Sequence, residues 1–345
     1  MLSEILAALT IFGVLIGPIA IRPIERNVEI FFLLVGVLTA CLMGQFSTAL
    51  IRACLREPLS FTLAVLLFGA GFHLLRDYLD RLFASAVQVL DLRVACFGLT
   101  IVLGFLAAFI TPVVSALVFV EAISALRLER STETAVTVFA CFAIGLGAGL
   151  TPVGMPGFAV VLHALHADFW YLARLLGPFV AVGVVLAATP VLFLRFESKE
   201  LHATLVIQPR ESWRVILLDR PGKVFAFIAG LVALSEGLRP VVDANISRLP
   251  NGSLFWLNTI SAVVNNSALA VVEIGPTLSV NQQRSALLAL LISGGMLVPG
   301  NIPNVVAASR LRITSREWAR IGLGTGVALL ILCFVVLSLM TGFLS

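Results

Sequence analysis

Apolar runs of roughly 20 residues, the length an α-helix needs to cross the hydrocarbon core of a bilayer, recur along the whole chain. They include residues 2–21, 30–51, 59–75, 92–110, 172–194, 224–238 and 321–344. Only 12% of the 345 residues are charged, about half the usual share for a soluble domain. The longest polar stretch, 196–222, has the length of a single loop, so no soluble domain fits between the runs. The expectation is an all-α polytopic membrane protein whose first partner is the lipid bilayer. The first run carries Glu4 rather than a basic leader, and no small-residue cleavage site precedes Arg22, so it reads as a span and not as a signal peptide. Cys41, Cys54, Cys96, Cys141 and Cys333 are scattered without metal-ligand spacing and read as small core residues. The net charge of +4 is no nucleic-acid signal.

The chain resembles itself. Residues 115–121, Ser-Ala-Leu-Val-Phe-Val-Glu, align with 267–273, Ser-Ala-Leu-Ala-Val-Val-Glu, at an offset of 152. Residues 151–157, Thr-Pro-Val-Gly-Met-Pro-Gly, align with 298–304, Val-Pro-Gly-Asn-Ile-Pro-Asn, at an offset of 147. An aromatic and an Ala-Arg pair follow each, at Trp170 to Arg174 and at Trp318 to Arg320. Three landmarks in one order imply an internal repeat.

Around these landmarks the apolar stretches are interrupted. Thr111-Pro112 breaks one and Asn265-Asn266-Ser267 its counterpart, which reads as two re-entrant hairpins at 92–127 and 254–280. Segments 134–166 and 285–313 are each cut by a Pro/Gly loop and read as broken helices, because Pro removes a backbone donor and Gly loosens the helix. Unwound backbone at membrane depth survives only where protein buries it or a polar cavity solvates it, so such breaks point to a site. The expected order is scaffold spans over 1–90, with 2–21, 30–51 and 59–75 crossing and 77–90 interfacial. Repeat 1 follows over 91–195, ending in a span at 170–195, then a loop at 196–222. Repeat 2 occupies 223–345 and adds spans at 223–240 and 317–343. Three crossings separate the hairpins, so the two repeats are inverted. This layout puts 17 of the 23 Lys and Arg on one face. The positive-inside rule makes that face, with the 196–222 loop, cytoplasmic and both termini extracytoplasmic, in a bacterial or archaeal inner membrane.

Only three acidic residues fall within apolar segments: Glu121, Glu236 and Glu273. An ionisable group in the membrane is costly and marks a pathway, a pair or a relay. Glu121 and Glu273 hold equivalent repeat positions and are the candidates for cation coordination or proton exchange, with structural pairing to Arg127 or Arg284 as the other reading. Glu236, beside Arg239, reads as structural. Asn265, Asn266 and Ser267 at one tip can coordinate a hard cation through oxygen or donate to an anion. The other tip offers Ser115. Thr151 and Gly154 in the first break, with Gly300, Asn301 and Asn304 in the second, complete the candidate ion site. Helix capping is an alternative use of the asparagines. His73, His163, His166 and His202 read as interfacial. No phosphate loop, nucleophile elbow or zinc motif is present, so no enzyme and no resident cofactor is expected beyond transported or coupling Na⁺ or H⁺.

Two stretches, Ser-Ala-Val-Val-Asn-Asn-Ser-Ala-Leu at 261–269 and Ser-Gly-Gly-Met-Leu-Val-Pro-Gly-Asn-Ile-Pro-Asn-Val-Val-Ala-Ala at 293–308, carry a resemblance to a known group. They are similar to the ion-transporter superfamily of Na⁺/H⁺ antiporters, arsenite efflux permeases and divalent-anion/Na⁺ symporters, above all to its branch of predicted cation transporters. The resemblance covers about residues 90–343. It implies paired hairpins and broken helices around a midplane site lined by Asn265, Asn266, Ser267 and the 300–304 break, in a homodimer moving cargo by an elevator motion. Relatives that place an Asp near a tip differ from this chain, which has Asn265-Asn266, and the Ser-Asn-Thr signature of carboxylate symporters is missing from its first tip. Cation/H⁺ antiport is the leading expectation, since no arginine is expected deep in the membrane region. Na⁺-coupled transport of a small anion is the alternative.

Overall fold

The computed structural model describes residues 2–20, 23–24, 27–196, 212–245, 248–262 and 266–341. Helices α1 (Leu2–Ala20), α2 (Val28–Leu42) and α3 (Thr48–Val89) form the N-terminal part, followed by α4 (Leu92–Ile110) and α5 (Pro112–Ala125). Then come α6 (Arg130–Ala148), α7 (Gly157–Ala164), α8 (Tyr171–Ala188) and α9 (Arg220–Asn245). The last part holds α10 (Asn251–Leu257), α11 (Asn266–Glu273), α12 (Val280–Ser293), α13 (Ile302–Leu311) and α14 (Ser315–Thr341). No strand occurs among the described residues. Five helical stretches are long and apolar enough to span a membrane: Leu92–Ile110, Arg130–Ala148, Tyr171–Phe193, Val215–Val241 and Ser315–Met340.

These five are not equivalent. In α6 the apolar window is 89% buried by protein, whereas in α14 only 17% is. Leu323, Val327, Ile331, Val335 and Leu339 recur every four residues along α14 and are all exposed, an apolar stripe suited to lipid. Helix α6 is therefore central and α14 peripheral.

Local chemistry sets the helix ends. Asp91 opens α4 by accepting from the Arg93 amide at 2.8 Å. Thr111, at φ 72° and ψ 146°, turns the chain sharply before Pro112, which starts α5 where its missing donor costs nothing. Ser279 and Gln282 form a reciprocal capping box at α12.

Two expectations are corrected. The loop expected over 196–222 is helical from Val215 onward, and the span expected at 223–240 runs from Val215 to Val241, because Val215–Leu218 are apolar. Residues 48–89 were expected to divide into the end of one span at 51, a second span at 59–75 and an interfacial segment at 77–90. They form one helix of 42 residues that runs through Pro58. Proline removes one donor, but the Ala, Leu and Arg residues around it are strong helix formers, so the helix continues.

Two close crossings organise the packing. Helix α2 lies against α9 with Gly36 over the Gly230 carbonyl, and a Cβ on Gly230 would stand 2.6 Å from the Leu33 Cα. Helix α4 crosses α6 with the Gly104 carbonyl against Gly147. Small residues let helix backbones approach where water supplies no driving force. On one face, Arg130 ties three elements together. Its guanidinium forks onto Glu317 at 2.9 and 3.0 Å and donates to the Leu311 and Arg312 carbonyls at 2.8 and 2.7 Å. It thereby joins the start of α6 to the end of α13 and the start of α14.

Overpacking the first crossing should be measurable: Gly36→Leu is expected to cost about 1–3 kcal/mol, read as a lower thermal midpoint of the purified protein in detergent. Gly13→Leu, with open space at its Cβ position, should leave the midpoint unchanged.

Candidate functional site

The two interruptions meet at one cavity. Helix α6 stops at Ala148 and α7 begins at Gly157, while α12 stops at Ser293 and α13 begins at Ile302. A cavity of about 180 Å³ lies between them, lined by Thr111, Pro112, Val113, Gly154, Met155, Pro156, Arg220, Val224, Asn266, Asn301 and Ile302. Its volume is well below the roughly 300–1,000 Å³ of drug-sized ligand pockets, which limits an occupant to a small ion or a short molecule.

Each break is held by different chemistry. In the first, Thr151 donates to the Ala108 carbonyl and accepts from the Gly154 amide at 3.3 Å, anchoring the loop to the end of α4. In the second, side chains do more. Asn304 donates to the Gly294 and Leu297 carbonyls, both at 2.8 Å. The indole of fully buried Trp318 donates to the Gly295 carbonyl at 3.1 Å. Asn301 caps α13 by accepting from the Ile302 amide at 2.9 Å.

Unsatisfied polar atoms gather at the cavity wall. Asn266 is 1% exposed, and neither its Oδ1 nor its Nδ2 has a hydrogen-bond partner. The Asn301 Nδ2 is likewise buried and unpartnered. Glycines make room for both amides: a Cβ on Gly294 would stand 2.6 Å from the Asn266 Oδ1, and one on Gly145 would stand 2.5 Å from the Asn301 Nδ2. Buried polar groups are nearly always partnered, so orphans of this kind mark a place for a ligand or water.

Four helix N-termini face the same cavity, those of α5 at Pro112, α7 after Pro156, α11 at Asn266 and α13 at Ile302. Each carries about +0.5 elementary charge. Arg220, at the start of α9, adds a full charge, and no Asp or Glu lines the cavity. The wall is therefore electropositive, a setting that favours an anion.

The expected site residues thus separate into groups. Asn266, Asn301 and Gly154 line the cavity. Thr151, Gly300 and Asn304 sit behind it and shape the breaks. Ser115 is fully buried in α5 with an unpartnered Oγ and does not line it. Asn265 and the side chain of Ser267 lie outside the described residues. Glu121 and Glu273 do not line the cavity and differ from each other, since Glu273 is 3% exposed and Glu121 is partly exposed. Arg284 is engaged with Asn281, the Leu175 carbonyl and the face of Phe179, and Glu236 pairs with Arg239 at 3.0 Å. His163 pairs with Glu57 at 3.3 Å, and His73 packs on Trp213. No cluster of three metal-ligating side chains occurs among the described residues.

Arg220 was missed because it lies in the sequence at the end of a polar loop. The residues just before it, Val215 to Leu218, are apolar and extend the span back to Val215, and that run is the available signal.

Fold and cavity together define a helical membrane protein with a small electropositive chamber at the junction of two interrupted helices. Residues 5–340 match the family described as "Protein of unknown function (DUF1646)", and the chain belongs to that family. No curated protein matches it.

Asn304 in the second break and Asn266 at the start of α11 should respond unequally to truncation. Asn304→Ala strands two buried carbonyls and is expected to cost about 1–3 kcal/mol. Asn266→Ala removes no hydrogen bond and should lower the thermal midpoint much less, in parallel melts of the two variants.

Proposed function

We propose that the chain is a secondary active transporter of a small ion, working by alternating access, with the cavity as its cargo site. The observation that carries this reading is the convergence of four helix N-termini and the unpartnered Asn266 amide on one small chamber among membrane-length helices. Irregular backbone at membrane depth is a costly feature that transporters use to bind ions. The resemblance of residues 261–269 and 293–308 to the ion-transporter superfamily agrees with it, and brings the homodimer and elevator motion as part of the proposal.

Two glycines support the repeat that such a scaffold implies. A Cβ on Gly154 would run into the Ala148 carbonyl and stand 2.7 Å from the Ala107 carbonyl. A Cβ on Gly300 would stand 2.6 Å from the Gly294 carbonyl and 2.7 Å from the Ala262 carbonyl. Gly154 and Gly300 thus meet the same surroundings: the end of the preceding helix and the end of the helical segment before the tip. Their spacing pairs Gly154 with Gly300, one position away from the register of the proline landmarks. The same register matches buried Leu172 to buried Trp318, while Trp170 is half exposed, so the aromatic landmark is not an equivalent pair.

For the cargo, the geometry favours a small anion over a cation. The expectation of cation/H⁺ antiport leaned on the absence of arginine from the site, and Arg220 lines it. Four helix starts and one guanidinium would repel a bare cation, whereas two amide donors and Arg220 suit an inorganic anion or short carboxylate. Cation exchange retains one supporting observation, the buried carboxylate of Glu273. In the proposed orientation residues 212–214, just before the Val215–Val241 span, are cytoplasmic. Arg214→Cys, with the native cysteines replaced, should then react with an impermeant maleimide only after the cells are opened, and labelling of intact cells would reverse the orientation.

Proteoliposomes offered radiolabelled phosphate, sulfate or succinate under an inward Na⁺ or H⁺ gradient should accumulate at least one of them. Arg220→Gln is expected to reduce that uptake roughly tenfold or more, the loss of one charge-assisted contact of about 1.5–3 kcal/mol. If none of the anions moves while Na⁺ drives proton efflux, cation exchange is the correct reading.

A further inference from the structure

Glu273 ends α11, is 3% exposed, and its Oε2 has no hydrogen-bond partner. The side chain beside its carboxylate is that of Asn258, in the short helical turn Asn258–Ala262 that follows α10. Asn258 is fully buried; its Nδ2 donates to the Leu254 carbonyl at 2.9 Å and its Oδ1 is unpartnered. Nearby hydroxyls offer no spare donor. Ser261 Oγ donates to the Leu290 carbonyl at 2.8 Å, and Ser293 Oγ lies 3.0 Å from the Asn258 carbonyl. The surroundings are therefore rich in acceptors, with two buried oxygens, Glu273 Oε2 and Asn258 Oδ1, that no hydrogen bond among the described residues satisfies.

No basic group among the described residues compensates the carboxylate. Helices α1, α7, α9 and α12 pack against α11. Their charged groups are engaged elsewhere: His163 with Glu57 at 3.3 Å, Glu236 with Arg239 at 3.0 Å and Arg284 with Asn281 at 3.2 Å. Lys223 pairs with Glu29 at 3.2 Å, Glu4 is exposed, and Arg220 lines the cavity at the other end of α11. A buried charge without a counterpart is strongly unfavourable. Either a proton on the carboxylate or a cation held by the two oxygens relieves it.

We propose that Glu273 and Asn258 form a site for one monovalent cation, a proton or Na⁺, distinct from the cargo cavity and coupled to it through α11. This rests on the transporter reading, because the coupling has meaning only if the cavity carries cargo. Helix α11 has Asn266 at one end, in the cavity wall, and Glu273 at the other, about 10 Å away at 1.5 Å per residue. The site exists once. Where α12 presents Ser293 against the Asn258 carbonyl, α6 presents Gly147 against the Gly104 carbonyl. Gly104 has no side chain where Asn258 carries its amide.

Two measurements on the purified full-length protein in detergent test this without transport. Radiolabelled Na⁺ binding detects an alkali cation, and infrared difference spectroscopy of the protonated-carboxyl stretch detects a proton. The expected result is one signal or the other, abolished by Glu273→Gln. Asn258→Leu should weaken Na⁺ binding roughly tenfold or more, as loss of a supporting ligand does, or shift the carboxyl band. Glu121→Gln should leave both signals in place. Glu273→Gln is nearly isosteric, and a single symmetric peak on gel filtration checks its fold. Na⁺ binding and carboxyl bands that are the same in wild type and Glu273→Gln overturn the site. A surviving signal in a protein that moves no ion would instead sink the transporter reading and leave the cation site standing.

Discussion

A helix that stops inside a membrane leaves backbone donors and acceptors that no water can reach, and the rest of this structure is arranged around meeting that need. Each stranded group at depth costs several kcal/mol, so two interrupted helices would be unaffordable without dedicated partners. The first break is solved mainly by backbone and one hydroxyl, Thr151 bridging Ala108 and Gly154. The second is solved by side chains, with Asn304 on two carbonyls, Trp318 on a third and Asn301 capping the helix that follows. The starts of α5 and α7 have no side-chain cap, and Pro112 and Pro156 at their tips line the cavity.

The difference between the breaks has consequences for motion. A loop fixed by backbone contacts to α4 moves with α4, and the Arg130 fork onto Glu317 and the end of α13 ties α6 to the second broken segment. Arg130 is substantially exposed, so its ion pair contributes little by charge alone. Its hydrogen bonds to the Leu311 and Arg312 carbonyls matter more, because they finish a helix that ends at Arg312 in the left-handed region. The two halves are thus latched on one face and meet at the cavity.

Much of this was legible in the sequence, for definable reasons. The apolar runs and the proline-glycine interruptions are local signals, and they fall where α6, α7, α12 and α13 end and begin. Asn266 and Asn301 were legible because an amide in an apolar stretch has few uses other than capping or ligation. Arg220 was not, because a residue at a loop's edge gives no sign of which way the chain folds back. Asn258 was not, since one asparagine seven residues before the tip looks like an interfacial residue until Glu273 is placed against it. The difference in burial between Glu121 and Glu273 was not legible either. Seven matched residues relate the two positions along the chain, but burial depends on what packs over each one: Glu273 is 3% exposed and Glu121 is partly exposed.

Helix α11 offers a concrete view of how an anion site and a cation site could communicate. Its dipole places positive potential at Asn266 and negative potential at Glu273, so an anion at one end and a cation at the other both lie along the favourable direction. That effect is worth about 0.3–1 kcal/mol at each end, and coupling between sites in working allosteric systems runs to about 1–3 kcal/mol. The dipole alone therefore falls short. The larger share has to come from packing: Asn266 fits only because Gly294 lacks a side chain, and Glu273 lies beside Asn258, whose carbonyl accepts from Ser293, the residue just before that glycine. Both ends of α11 thus bear on the last turn of α12. A shift of that turn would move the cavity wall and the proposed cation site together, so the coupling we propose rests on this shared contact rather than on any long-range field.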